Sequence, residues 1–247
     1  MKPVEVFGLH AVKAVLEREP QRVLHIWAQQ GRDDKRMSDV LGLASRFGVH
    51  VDSVPREKLD QRSEGQHQGI IARIKPAPEW QEQDLLDWLE GERARPPFLL
   101  VLDGVTDPHN LGACLRSADA AGIDAIVVPK DKSAALTPAA RKVASGAAET
   151  VPLVRVTNLA RFLRSLNQAG LWVVGTAGET EQTLYHADLR GPLALVMGAE
   201  GKGMRRLTRE HCDALVRLPM AGTVESLNVS VACGIVLFEA LRQRSSV

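Results

Sequence analysis

The feature that most constrains this sequence is a series of continuous apolar runs that alternate with helical patterns from residue 98 onward. Phe98–Asp103 is apolar at almost every position, as a strand must be when helices cover both faces of a parallel sheet. Further strands are predicted at 125–128, 151–154, 171–175, 193–197 and 214–218, and helices at 111–121, 138–145, 159–168 and 226–242. This alternation predicts an α/β fold with a parallel sheet.

A smaller α/β unit is predicted in front of this sheet, over residues 1–74. Helical spacing of apolar residues occurs at 9–16 and 37–47, and short strand-like runs occur at 22–28, 49–51 and 68–74. Proline pairs at both ends of the next segment predict a semi-rigid connector over residues 75–96. The sequence therefore predicts two domains, 1–74 and 97–247, joined by this linker.

The composition is that of an ordinary globular protein. The 247 residues are 45% hydrophobic and 25% charged, and the net charge of +1 does not by itself indicate a nucleic-acid partner. No apolar run approaches the roughly 20 residues of a membrane span, and the N-terminus lacks a signal pattern, so a cytoplasmic protein without membrane contact is expected. The three cysteines lack metal-ligand spacing, so no metal site is expected.

Two glycine-containing turns follow the last two predicted strands, at 198–203 and 219–222. Ligands bind at the carboxyl ends of strands in α/β sheets, so these turns are candidate ligand sites; alternatively, their glycines only permit a tight turn. Glu200 inside the first turn favours a ligand. Lys202 is followed by Gly203 rather than Ser or Thr, which excludes a Walker loop, and the missing G-x-G-x-x-G pattern disfavours a nucleotide-dependent oxidoreductase.

Three sequence blocks give this domain a specific resemblance. They are DPHNLGACLRSA at 107–118, VMGAEGKG at 196–203, and LPMAG at 218–222 followed by SLNVSVA at 226–232. In order and spacing they resemble the SPOUT superfamily of methyltransferases, in its SpoU-type ribose 2′-O branch. The segments GLHAV at 8–12 and HQGI at 67–70 resemble the L30e-like RNA-binding domain of the same branch.

The resemblance implies a fold and a cofactor. It implies a C-terminal parallel-sheet SPOUT domain with a deep trefoil knot, a feature that pattern reasoning alone would not propose. It also implies S-adenosyl-L-methionine as cofactor, bound by Gly198, Leu218, Met220 and Leu227. Apolar side chains at these positions suit the faces of an adenine ring, and backbone N–H and C=O groups suit its edge.

The same blocks imply a set of catalytic residues, namely Asn110, Arg116, Glu200, Ser226 and Asn228. Because a guanidinium stays protonated at neutral pH, Arg116 is expected to position a phosphate or the ribose rather than to act as a general base. Asn110 and Ser226 have an alternative interpretation as helix N-caps, with Asn228 as a capping partner. Arg116 has an alternative interpretation as a solvated helical arginine.

The implied partner is RNA. The resemblance is closest to members that methylate a guanosine ribose in 23S rRNA, in the peptidyl-transferase P loop, so 23S rRNA or a pre-ribosomal large-subunit particle is the expected substrate. Lys58, Arg62 and His67 are candidates for contacts with the phosphate backbone, although a solvated face explains each of them singly. A tRNA ribose 2′-O-methyltransferase and a non-catalytic rRNA-binding protein remain alternatives.

The predicted last helix, 226–242, is apolar around most of its circumference. Leu227, Val231, Ile235 and Phe238 form one face, and further apolar residues surround the rest. Such a helix must be buried on two sides, either by other helices of the same subunit or by a partner. The resemblance favours a homodimer through this helix, and Val236 is predicted to face the partner.

Overall fold

A computed structural model describes residues 3–63, 67–76 and 79–245 of the chain. The chain divides into two units, Met1–Pro78 with Ser145–Thr150, and Glu79–Ala144 with Val151–Val247. Within the described residues, no helix combines the length and the apolar character that crossing a membrane requires.

The first unit is built on a mixed sheet with the order β1-β4-β2-β3. Strand β3 pairs with β2 in parallel, and β4 pairs antiparallel with both β1 and β2. Its elements are β1 (Val4–Phe7), α1 (Leu9–Arg18), β2 (Val23–Gln29), α2 (Lys35–Arg46), β3 (Val51–Val54), α3 (Arg56–Asp60) and β4 (Ile70–Ile74). Strand β1 was not predicted, because four alternating residues are too short a pattern to read.

Helices α1 and α2 supply the core of this unit on one face of its sheet. Ile26 and Ala28 of β2 are buried in the same cluster as Val12 and Met37 of these helices. Because side chains alternate along a strand, the neighbours of Ile26 on β2 point to the opposite face. His67, a candidate for RNA contact, is instead buried, and its Nε2 lies 2.9 Å from an Asp60 carboxylate oxygen. Its role is therefore to hold the turn before β4.

The second unit confirms the predicted parallel sheet. Its strand order is β10-β8-β9-β5-β6-β7, and every pair in it is parallel. The strands are β5 (Phe98–Asp103), β6 (Ala125–Pro129), β7 (Leu153–Val156), β8 (Trp172–Thr176), β9 (Leu193–Gly198) and β10 (Ala214–Val216). The helices are α4 (Glu82–Glu90), α5 (Pro108–Ala120), α6 (Pro138–Ala144), α7 (Leu159–Gln168), α8 (Arg206–Glu210) and α9 (Val229–Arg244).

Central strand β5 is buried along its whole length, as its apolar sequence requires. Leu99 and Val101 point toward one helical layer, in a cluster with Phe162 of α7. Leu85 and Leu89 of α4 belong to the same cluster. The segment predicted as a connector thus contributes a helix to the core of the second unit.

Helix α9 begins at Val229, three residues later than predicted, and continues to Arg244. Its buried residues recur at helical spacing and form one face: Val229, Cys233, Val236, Leu237 and Ala240. The prediction that Val236 faces a partner is wrong, because this side chain is 1% exposed within its own unit. The outward apolar side chains are Val231 and Phe238, which are 52% and 50% exposed.

Candidate active site

The candidate site is built where β5 and β9 end side by side. These strands pair in register from Phe98↔Leu193 to Asp103↔Gly198, so the loop after β5 and the turn after β9 emerge at the same edge of the sheet. The first loop leads directly into α5, and the second carries Glu200. The register alone therefore brings two of the sequence blocks together.

The turn after β9 closes on itself through two backbone hydrogen bonds. Ala199 N donates to Gly203 O at 3.1 Å, and Gly203 N donates to Ala199 O at 2.8 Å. Gly201 and Gly203 have φ values of +70° and +64°, which only glycine adopts without strain. Glu200 is thereby held at the tip of a tight turn.

A buried carboxylate anchors the chain just beyond this turn. Asp103, the last residue of β5, is 1% exposed, and its Oδ2 accepts a hydrogen bond from Arg205 N at 2.8 Å. Its other oxygen lies 3.3 Å from Nε of the same arginine. Since a buried carboxylate needs such compensation, Asp103 and Arg205 fix the turn against β5.

Glu200 joins three segments of the chain through one oxygen. Its Oε1 accepts hydrogen bonds from Asn228 Nδ2 at 2.6 Å, from Val229 N at 3.1 Å and from Asn110 Nδ2 at 3.2 Å. Asn228 Nδ2 also lies 3.0 Å from Asn110 Oδ1. Three predicted site residues, one from each block, therefore form a single polar cluster, which we call the Asn110–Glu200–Asn228 network.

Two helix N-termini converge on this network. Asn228 is the N-cap of α9, with its Oδ1 accepting from Ser230 N at 2.9 Å and from Ser230 Oγ at 2.6 Å. The cap of α5 is Asp107 rather than Asn110, which leaves the Asn110 amide available to Glu200. Because helix N-termini carry partial positive charge, they stabilise the Glu200 carboxylate between them.

The other two predicted catalytic residues are not part of the network. Arg116 is exposed on α5, six residues or about 9 Å of helix rise beyond Asn110. Ser226 is exposed in the loop before α9 and caps no helix. Neither side chain hydrogen-bonds to any residue within the described ranges, so both are open to a substrate.

The predicted cofactor residues surround the ends of β9 and β10. Leu218 and Leu227 are half-buried, and Met220 is 36% exposed. The backbone amides of Leu218 and Met220 donate to no other residue in the described part of the chain. Apolar side chains beside unpaired N–H groups fit the faces and the edge of a purine ring.

A pocket of about 280 Å³ lies at the same edge of the sheet. It is lined by Thr176 to Glu179 at and after the end of β8, by Gly201 to Met204 of the turn, and by Arg209. Thr176, Ala177 and Gly178 were not predicted from the sequence. A signal was present, since Thr176 ends a strand that neighbours both β9 and β10 in the sheet.

Cys212 lies close to this region but is not a nucleophile. Burial, assisted by the neighbouring Asp213 and Asp103 carboxylates, raises the pKa of the Cys212 thiol to about 12. A thiol that stays protonated at neutral pH has little reactivity. The site therefore relies on hydrogen bonding and positioning.

Comparisons with known proteins find similarity over nearly the whole chain. Residues 97–238 match the model of the SpoU rRNA Methylase family, and residues 6–80 match the model described as RNA 2′-O ribose methyltransferase substrate binding. The 23S rRNA (guanosine-2′-O-)-methyltransferase RlmB of Pseudomonas syringae pv. tomato is 62% identical, over 98% of this chain and 96% of its own. RlmB of Escherichia coli K12 is 59% identical, over 97% and 98%.

A solved structure shows the same fold. The SpoU methyltransferase AviRb from Streptomyces viridochromogenes, in complex with the cofactor AdoMet, aligns with a TM-score of 0.72 and 23% identity. The alignment covers 99% of this chain and 92% of the AviRb chain.

The turn after β9 gives a stability prediction. A Cβ at Gly198 would overlap the backbone of Gly203 and Met204, that is, the turn itself rather than an approaching ligand. We therefore expect Gly198→Ala to destabilise the second unit by about 1–3 kcal/mol, as overpacking does. Gly191→Ala is the matched control, because a Cβ at Gly191 meets nothing within 4 Å. Urea unfolding followed by circular dichroism measures both; equal midpoints would contradict this account of Gly198.

Proposed function

This chain belongs to the SpoU rRNA methylase family, and we propose that it transfers the methyl group of S-adenosyl-L-methionine to the ribose 2′-oxygen of a guanosine in 23S rRNA. The observation that carries the proposal is the Asn110–Glu200–Asn228 network, which lies at a strand edge beside apolar residues and unpaired amides. The similarity over nearly the whole chain to proteins named for this reaction supports the substrate.

The cofactor supplies an electrophilic methyl group on its sulfonium, so the protein must align the 2′-oxygen and favour loss of its proton. Alignment of this kind lowers a barrier by up to about 7–11 kcal/mol in well-oriented reactions. Glu200 Oε1 already accepts three hydrogen bonds, so we assign Glu200 to positioning Asn110 and Asn228. Its second oxygen accepts from no described residue and is available to a ribose hydroxyl.

Arg116 and Ser226 are proposed to contact the RNA. Both side chains are exposed and lack a partner in the described structure, unlike the residues of the network. A guanidinium binds phosphate through two parallel hydrogen bonds and stabilises a developing alkoxide. We place Arg116 on the ribose and phosphate of the target, and the Ser226 hydroxyl next to it.

The cofactor is proposed to lie against Gly198, Leu218, Met220 and Leu227. The half-buried and exposed apolar side chains and the unpaired amides at Leu218 and Met220 support this position. The pocket beside Thr176 is the natural extension of the same site.

The first unit is proposed to be an L30e-like domain that holds the rRNA. Its match to a substrate-binding family supports this role. On the sheet face opposite α1 and α2, the exposed Arg62 guanidinium lies 4.0 Å from the centroid of the half-buried Trp27 ring. Arginine and aromatic planes stack on unpaired bases, and arginine also binds phosphate.

The region of 23S rRNA that contains the target guanosine is proposed from the family resemblance of the sequence. The guanosine would lie in the peptidyl-transferase P loop, presented by 23S rRNA or by a pre-ribosomal large-subunit particle. An enzyme with this substrate acts in the cytoplasm, where ribosomes are assembled. A tRNA substrate or a purely RNA-binding role would each give a different result in the methyl-transfer assay below.

A trefoil knot in the second unit is also part of the proposal. Arg217, just after β10, pairs with the β8–β9 loop, donating to Gln182 O and accepting from Leu184 N, both at 2.9 Å. Near the end of α9, Gln243 reaches the same loop at Ala187 O and Leu189 N. A loop that holds the chain at both places supports threading of the C-terminal segment through it.

A homodimer through α9 completes the proposal. Val231 and Phe238 are seven residues apart, so they share one outward face of the helix. A two-fold symmetric contact would bury this face against its copy. It replaces Val236 as the expected contact, because that side chain is buried within its own unit.

Arg116→Ala is expected to lower methyl transfer to 23S rRNA by about 10²–10³-fold, the cost of losing one stabilising donor. Cofactor affinity should stay unchanged, since Arg116 is placed on the RNA side. The control is Arg164→Ala, which removes an exposed helical arginine on α7. Transfer of radioactive methyl to rRNA and calorimetric cofactor titration are the measurements. Methylation of tRNA alone, or cofactor binding without transfer by the unaltered protein, would refute the proposed function.

Phe238→Asp is expected to convert the dimer to monomers, because a charge would be buried in the symmetric contact. Phe47→Asp is the matched control, since Phe47 is a similarly exposed phenylalanine of the first unit at 41%. Sedimentation equilibrium at micromolar concentration distinguishes the two states. An unaltered protein that is monomeric and active would show that the proposed dimer is not needed.

Arg62→Ala is expected to weaken rRNA binding and to lower the slope of log K against log salt by about one. Arg36→Ala, on the helix-covered side of the same sheet, should leave both unchanged. Filter binding across a series of salt concentrations measures the slopes. Equal slopes for the two variants would place the RNA on another surface.

A further inference from the structure

The face of the first unit's sheet opposite α1 and α2 brings together two histidines and an aspartate. Strands β2 and β3 run in parallel with Ile26 opposite Val51 and Trp27 opposite Asp52. Ile26 points into the helical core, so His25 and Trp27 point to the other face. By the same register, His50 and Asp52 stand beside them.

The ring nitrogens of both histidines are directed at the same carboxylate. His25 Nε2 lies 3.0 Å from Asp52 Oδ2, and His50 Nε2 lies 3.0 Å from Asp52 Oδ1. One ligand atom from each of the three residues lies within 4.8 Å of the others, and no second group of this kind occurs among the described residues.

We propose that His25, His50 and Asp52 form a binding site for a first-row divalent transition-metal ion such as Zn²⁺. Two imidazoles and one carboxylate are a common ligand set for Zn²⁺ when a fourth position stays open. Mg²⁺ and Ca²⁺ are disfavoured, since they prefer oxygen ligands. The cysteine spacing predicted no metal, but histidines on separate strands leave no spacing signal.

The nitrogen–oxygen distances of the cluster are close to those of a metal site, and its ligand atoms lie within 4.8 Å of one another. Tetrahedral ligands at about 2.0–2.1 Å from Zn²⁺ are separated by about 3.3 Å, close to the present nitrogen–oxygen distances. In the metal-free cluster each Nε2 donates a hydrogen to the carboxylate. Metal binding needs the lone pair of each Nε2, so in the bound state the ring hydrogen sits on Nδ1.

The two histidine ligands differ in their exposure to solvent. The His25 ring packs against Trp27 with centroids 4.5 Å apart, and its side chain is 23% exposed. His50, at 71% exposure, precedes the edge strand β3 and faces solvent. An ion can therefore enter from solvent on the side of His50, and the open position can take water or an anionic oxygen.

Equilibrium dialysis of the full chain against Zn²⁺ tests the site. We expect one equivalent to bind, and His25→Gln, His50→Gln and Asp52→Asn each to weaken that binding by at least about 10-fold. The matched control is His186→Gln, which removes an exposed histidine of the second unit and should change nothing. Visible absorption of bound Co²⁺, altered in the three variants only, identifies imidazole ligation directly.

Other results would contradict the proposed metal site. Absence of saturable Zn²⁺ binding to the unaltered protein, or full binding by all three variants with native circular dichroism, would overturn the proposal. If the variants lose RNA affinity while the unaltered protein binds no Zn²⁺, the cluster is part of an RNA surface and the metal site is rejected.

Discussion

One carboxylate oxygen holds together three parts of the chain that are far apart in sequence. Glu200 Oε1 receives the side-chain amides of Asn110 and Asn228 and the first backbone amide of α9. Each donor lies at or near a helix N-terminus, where backbone N–H groups lack partners within the helix. The network therefore satisfies helix ends and orders polar groups at the same time. Asn228 thus caps α9 and donates to Glu200 in the same arrangement.

The position of Glu200 depends in turn on the sheet beneath it. Parallel pairing of β5 with β9 brings Asp103 beside Gly198, and the buried Asp103 carboxylate accepts from Arg205 just beyond the turn. If the pairing of β9 with β5 shifted by one residue, the side chains of β9 would exchange faces. Glu200 would then no longer reach Asn110 of α5. The uniform apolar character of both strands supports the burial, and the Asp103 contact supports the register.

The sequence predicted the elements whose signal is local and strong. Strand β5 is apolar throughout and was placed at its observed bounds, Phe98–Asp103. Strand β1 is short, and its pairing with β4 is set by residues distant in sequence. The direction in which the Val236 side chain points depends on the rotation of α9 about its axis. A helix with apolar residues on all sides does not specify this rotation. The meeting of His25 with His50 depends on the register of two strands, which no spacing rule encodes.

The site and the proposed dimer contact share one rigid element. Asn228 caps α9, and Val231 follows three residues later, about 4.5 Å along the helix axis. A second copy packed on Val231 and Phe238 would therefore approach the end of α9 that carries the network. Exposed groups nearby, such as Ser226, would then be covered by protein or RNA rather than by water. Hydrogen bonds strengthen when water is excluded. Dimerisation through α9 would therefore strengthen the hydrogen bonds by which Glu200 and its partners position the ribose.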